Sequence, residues 1–260
     1  MRKVSIVGLA AAVLTGVVFA ASTLMSDSGS AGAVAKGADA GQGQFPYSVK
    51  LTMTGIPRTD GTTYDSSCSA GLVNPRYIVT AGHCFHDAAR NPVSGPPQYK
   101  STKATIGVVD LTTGGGTTVD VVDVQQSPKN DIAVAKLSRP VTASKYLHIG
   151  QAKPTVGQQL VIAGWGDTDA NGTASPKLQW GKFQVSAVQS TELNAHGVWP
   201  EADTSACPHD SGAPYFSLPE TGDATLVAVE HDGPDCPHTT DETIERVDVA
   251  ADWINKQIAK

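Results

Sequence analysis

The sequence predicts a mostly β protein. Two observations carry that reading, and a third sets a helix at the tail. Glycine and proline are plentiful, 26 and 16 of 260 residues, and break the chain often. Short Val/Ile/Thr-rich runs recur between those breaks, and apolar residues take helical spacing at the tail. At this length the chain can bury a substantial core, in one large domain or two small ones. The formal net charge is −6 and basic runs are lacking, which argues against a nucleic-acid partner.

The first segment has the layout of a secretory signal. Arg2 and Lys3 precede an apolar run from Val4 to Met25, followed by the small and polar residues 26–33. Small-x-small cleavage sites stand at Val18-Phe19-Ala20 and Ala31-Gly32-Ala33. They favour removal of residues 1–33 over retention as a membrane anchor, although the run is nearly long enough to span a bilayer. A leader of bacterial type is expected, so the Asn171-Gly172-Thr173 sequon is read as chance. Export implies an oxidising compartment, in which the four cysteines form disulfides. A zinc site is the competing reading. It fails because no Cys-x-x-Cys pair exists and His83 beside Cys84 is poor ligand geometry.

After a polar, glycine-rich segment from Val34 to Phe45-Pro46, Tyr47 to Met53 alternates as a strand. Ser66 to Val73 and Arg76 to Thr80 form two more around the turn Asn74-Pro75. Lys103 to Val109 and Thr117 to Gln125 follow, separated by the loop 112–116, and then Asp131 opens the apolar run to Leu137. Pro140 to Pro154 is irregular and divides the chain into halves, with no internal repeat relating them. The second half begins at Gln159 to Ala163, continues through the long run Leu178 to Ser190, and reaches another strand at Thr225 to Glu230. Val249, Trp253, Ile254 and Ile258 predict an amphipathic helix over 249–260.

Chemistry concentrates at Cys207-Pro208-His209-Asp210-Ser211-Gly212. A serine hydroxyl is a poor nucleophile without a neighbouring base, and Asp-Ser-Gly triplets are commonly plain turns. His83 follows a predicted strand, where a loop borrows rigidity from the scaffold. Asp131 opens a strand, and if buried there it needs a partner such as a histidine N–H. A bridge between Cys68 and Cys84 would staple the loop carrying His83, worth ~3 kcal/mol in the entropic account.

Thr80-Ala81-Gly82-His83-Cys84, Asp131-Ile132-Ala133, Gly164-Trp165-Gly166 and Cys207-x-x-Asp210-Ser211-Gly212-x-Pro214 occur in one order. With Phe45-Pro46 near the start and a Trp-Ile tail, the chain from Val34 to Lys260 resembles the chymotrypsin/trypsin-like serine proteases, as a secreted bacterial member. The resemblance implies two antiparallel six-stranded β-barrels with a C-terminal helix and a cleft between the barrels. It implies Ser211 as nucleophile, His83 as base, Asp131 as orienting acid, and the N–H groups of His209 and Ser211 as the oxyanion hole. It pairs Cys68 with Cys84 and Cys207 with Cys236, and sets a freed Val34 ammonium against Asp210. Signal cleavage would then complete activation. No cofactor or metal is expected, and the expected state is a monomer, free of membrane after cleavage, acting on a protein or peptide substrate.

The chain also departs from that family. Relatives carry glycine where His209 and Ala213 stand. The first substitution matters more, because that residue donates an oxyanion-hole N–H from a backbone shape glycine reaches cheaply. Histidine is among the few other residues enriched there. At the substrate pocket, Ser205 stands where trypsin-like members place an aspartate. The wall reads Glu230-His231-Asp232-Gly233 without the relatives' tryptophan, and Asp241-Glu242 replaces a proline-glycine stretch. An acid from Asp232 or Glu242 reaching inward would favour basic substrates; the plainer reading, put first, is that both face solvent. A serine endopeptidase is therefore the leading reading. A catalytically weakened homologue acting as a binding module is the alternative, and a zinc hydrolase built on His83 and His86 fails for want of further ligands.

Overall fold

Apolar side chains at every second position pull short segments into strands, and there are enough of them to close sheets on themselves. The computed structural model describes Met1 and residues 34–143, 145–219 and 223–260. The expected leader and both of its cleavage sites lie outside the described residues. The strands are β1 Ala38–Asp39, β2 Ser48–Pro57, β3 Thr63–Asn74, β4 Tyr77–Ala81, β5 Ser101–Ile106, β6 Thr117–Gln126 and β7 Ile132–Leu137. They continue with β8 His148–Ile149, β9 Gln159–Gly164, β10 Gln179–Val188, β11 Glu192–Trp199, β12 Pro214–Ser217, β13 Thr225–Asp232 and β14 Glu242–Arg246. A 3-10 turn, Gly82–Cys84, follows β4, and the helix α1 is Ala251–Ile258.

The first barrel closes in the order β2-β3-β4-β7-β6-β5. The second runs β9-β10-β11-β14-β13-β12 and closes where β12 and β10 both pair with β9. β1 adds to β10, and β8 pairs in parallel with β13. The fold is therefore all-β, two closed six-stranded antiparallel barrels with one C-terminal helix. Among the described residues no helix is long and apolar enough to cross a membrane.

In β2, Val49, Leu51 and Met53 point inward and are buried, while Lys50 and Thr52 alternate outward. The seam between the barrels is aromatic. Phe216 of β12 meets Tyr47 edge-on at 5.1 Å and Phe45 at 5.3 Å between ring centroids. Trp165 is fully buried in the same apolar cluster, which joins residues of both barrels. Two disulfides pin the site loops: Cys68–Cys84 ties β3 to the 3-10 turn, and Cys207–Cys236 ties the Ser211 loop to the segment after β13.

Three strands of the second barrel escaped the sequence reading, β11, β12 and β14. The first alternates but does so with Asn194, Ala195 and Gly197, all poor strand formers; the second opens on a proline; the third is five residues long and three of them are charged. The helix is shorter than the expected 249–260 because the residues before Ala251 form a turn, Ala250 N–H donating to the Val247 carbonyl.

Because Phe216 is fully buried between the barrels, Phe216→Ala should lower unfolding free energy by about 3–5 kcal/mol in urea titration. A loss under 1 kcal/mol would mean the seam does not hold the barrels together.

Candidate active site

His83 takes its position from the tight 3-10 turn after β4, and that turn requires Gly82. A Cβ there would stand 2.5 Å from Gln126 Oε1 and 2.7 Å from Asp131 Oδ1. Gln126 Nε2 holds the turn by donating to the carbonyls of Gly82, Phe85 and Val93. Asp131, just before β7, receives both ends of His83. Its Oδ1 accepts the backbone N–H at 2.8 Å, and its Oδ2 accepts the Nδ1–H at 2.6 Å. The same Oδ2 accepts a second imidazole, His231 Nδ1–H of β13, at 2.9 Å.

Burial pushes the Asp131 carboxyl up, but the hydrogen bonds and charges of His231 and His83 outweigh it and hold it at about 2. Reciprocally, the hydrogen bond to Asp131 raises His231 against the opposing effect of its partial burial. His83, Asp131 and His231 also form a compact three-residue group of metal-ligating type. Its hydrogen bonds already account for the geometry, since each Nδ1 spends its proton on the shared oxygen.

Ser211 sits on a loop bound to both barrels. Its carbonyl accepts Ser69 N–H of β3 at 2.8 Å, and the next residue, Gly212, sends its N–H to Glu230 O of β13 at 2.9 Å. Gly212 has φ +83°, and a side chain there would strike Thr80 Oγ1 and Ser69 O. Behind the serine, Asp210 is fully buried. Its carboxylate accepts N–H groups from Gly166 at 2.8 Å and from Cys207 and Val34 at 3.1 Å each. Cβ atoms at Gly164 or Gly166 would collide with that carboxylate, which is the physical content of the Gly-Trp-Gly motif. Burial raises the Asp210 carboxyl to about 6 even though these N–H groups and the charge of Lys50 pull it down. Lys50 is itself lowered to about 8 by burial, and its Nζ donates to Trp165 O at 2.6 Å.

His209 lies in the left-handed region with φ +76°. Its Nδ1 bonds Asp167 Oδ1 at 2.9 Å. Neither its N–H nor that of Ser211 donates to an acceptor among the described residues. His83, His209 and Ser211 line one cleft of about 270 Å³, together with Tyr64, His86 and Arg90. No hydrogen bond joins Ser211 to His83; such contacts often tighten only in the substrate complex.

A second cavity, of about 160 Å³, opens beside Ser211 and is lined by Glu230, His231, Asp232, Gly233 and Glu242 among others. Ser205 is buried outside that lining, and its hydroxyl accepts His238 N–H. Asp232 is exposed as expected, but Glu242 is fully buried, against the expectation that both acids face solvent. One Glu242 oxygen accepts Ala206 N–H at 2.7 Å and stands 3.2 Å from His238 Nε2, close enough for an ion pair but poorly aligned for a hydrogen bond. The other is buried, has no partner among the described residues, and faces Gly233. Burial raises Glu242, and raises Glu230 well above the carboxylate range, where the Tyr215 hydroxyl donates to it at 2.7 Å.

A model of the trypsin family matches residues 34–254. The chain belongs to the trypsin family. Among relatives, transmembrane protease serine 11G of Mus musculus is 28% identical over 86% of this chain and 55% of its own length. The suppressor of tumorigenicity 14 protein homolog of Bos taurus is 26% identical over 86% of this chain but only 28% of its own. The venom peptide isomerase heavy chain of Agelenopsis aperta is 22% identical over 75% of this chain and 86% of its own. Thus the chain spans between about a quarter and most of the length of these relatives. All three are animal proteins, so the bacterial origin read from the leader finds no support among them.

Within that trypsin-family frame, the fold brings His83 to Asp131 and Val34 N–H to Asp210, and sets Ser211 on the cleft His83 lines. The sequence reading placed His231 only on the pocket wall. Its contact with Asp131 spans 100 residues, and Asp167 and Lys50 were not singled out at all.

The buried Asp210 makes a pH prediction. With its folded value near 6 and its unfolded value near 4, the folded chain keeps a proton that the unfolded chain has released between those limits. Stability therefore falls as pH rises from about 4 to about 6. For the chain with residues 1–33 attached, urea unfolding of wild type against Asp210→Asn should show wild type losing roughly 3 kcal/mol relative to the variant across that window. A wild-type advantage that grows with pH would contradict the assignment.

Proposed function

We propose that the protein is a secreted serine endopeptidase that works through His83, Asp131 and Ser211. One observation carries the reading: in a trypsin-family chain, Asp131 holds His83 by one hydrogen bond to its backbone N–H and one to its ring, on the cleft that Ser211 lines. The chemistry is the family's established one. Ser211 Oγ attacks the scissile carbonyl carbon while its proton passes to His83 Nε2. The tetrahedral oxyanion takes the N–H groups of His209 and Ser211, and collapse expels the amine with the proton from His83. Water, activated by the same imidazole, then hydrolyses the acyl-enzyme and restores the serine. Asp131 stays ionised throughout, as its value of about 2 requires, and stabilises the imidazolium.

Removal of residues 1–33 would expose Val34, whose nitrogen already meets Asp210 at 3.1 Å. The new ammonium would give that buried carboxylate the partner it lacks, so signal cleavage and completion of the Ser211 loop are one event. A monomer acting on protein or peptide substrates outside the cell follows from the same reading.

The pocket supports a class of substrate. The Glu242 oxygen left without a partner among the described residues, with the exposed Asp232 and Asp235, makes the lining acidic, which suits a lysine or arginine side chain before the scissile bond. A second reading, a binding module without turnover, draws on the carboxylate occupying that pocket and on the missing Ser211–His83 hydrogen bond.

A serine-reactive fluorophosphonate distinguishes the two readings. Covalent labelling of wild type and none of Ser211→Ala is expected; no labelling of folded wild type would leave the binding module. On peptide substrates, Glu242→Gln should cut kcat/KM for lysine or arginine at this position by about 10- to 100-fold, the worth of one charged hydrogen bond. Substrates with leucine there should change little. Equal loss on both would place Glu242 outside recognition.

A further inference from the structure

The one strained residue beside the nucleophile is also tied to a buried acid. His209 holds φ +76°, a conformation that costs a non-glycine residue of order 1–3 kcal/mol and persists only where neighbours impose it. Asp167, 2% exposed, supplies two contacts of the required kind. Its backbone N–H donates to Pro208 O at 2.8 Å, and its Oδ1 bonds His209 Nδ1 at 2.9 Å.

Together these contacts grip the Pro208–His209 peptide at its carbonyl and at the following side chain. Because a trans peptide sets N–H opposite C=O, a carbonyl held on Asp167 turns the His209 N–H away from it. That N–H then has no acceptor among the described residues, as expected of a donor kept free for a ligand. Asp167 has reason to stay, since His209 is the side-chain partner of its otherwise buried charge.

We propose that Asp167 is a positioning residue that clamps His209 and so keeps its N–H aimed into the cleft, replacing the conformational freedom a glycine would bring. The inference rests on the serine-protease reading, in which that N–H stabilises the oxyanion. Asp167 acts through His209 and touches neither substrate nor Ser211.

A double-mutant cycle tests it, with wild type, Asp167→Ala, His209→Gly and the double variant assayed for kcat and KM on one peptide substrate. Removing the carboxylate from wild type should lower kcat by about 10- to 100-fold, up to the loss of one oxyanion donor, with KM nearly unchanged. With His209→Gly as background there is no imidazole to clamp, and the same replacement should cost less than about 3-fold. Asp167→Asn, which keeps an acceptor for Nδ1–H, should recover much of the wild-type kcat and covers the case in which alanine prevents folding. Equal losses in both backgrounds, or no loss in wild type, would overturn the clamp while leaving the protease reading intact. Failure of folded wild type to label at Ser211 would remove both.

Discussion

A single carboxylate oxygen, Asp131 Oδ2, receives two imidazoles that arrive from different barrels. His83 comes from the turn after β4 in the first barrel and His231 from β13 in the second. Only an ionised carboxylate can accept both Nδ1–H groups together with the His83 backbone N–H, which is why its value lies near 2 despite substantial burial. The contact links the two barrels at the edge of the cleft that His83 and Ser211 line. Remote hydrogen bonds such as Asn130 Nδ2 to Arg246 O reinforce the same junction.

A second charge problem lies beneath the nucleophile. Asp210, Glu230 and Glu242 are all fully buried around the Ser211 loop, and burial raises all three. Each is met by a different device: three backbone N–H groups for Asp210, a tyrosine hydroxyl for Glu230, and a histidine with one N–H for Glu242. The Glu242 oxygen left over is the least satisfied of them. Concentrating buried acids in this way costs the fold stability.

Much of this was legible in the chain. The motifs around His83, Asp131, Trp165 and Ser211 mark places where the backbone itself is constrained: Gly82 against Asp131, Gly164 and Gly166 against Asp210, Gly212 against Thr80. Constraints of that kind leave fixed residue types at fixed spacing. The His231–Asp131 and His209–Asp167 contacts left no such trace, because they join side chains 100 and 42 positions apart whose types are ordinary in loops. Strands β11, β12 and β14 were missed for a related reason. Their pairing is imposed by barrel closure more than by residue propensity. Glu242 was assigned to solvent because charge normally is, and its burial becomes visible only once β14 is seen to face the pocket.

The shared carboxylate is open to direct observation. Protein labelled with nitrogen-15 histidine should give downfield Nδ1–H proton resonances for His83 and His231 that are both lost in Asp131→Asn, while that of His209, held on Asp167, persists. Loss of only one resonance, or a His231 signal untouched by Asp131→Asn, would contradict the bridge between the barrels.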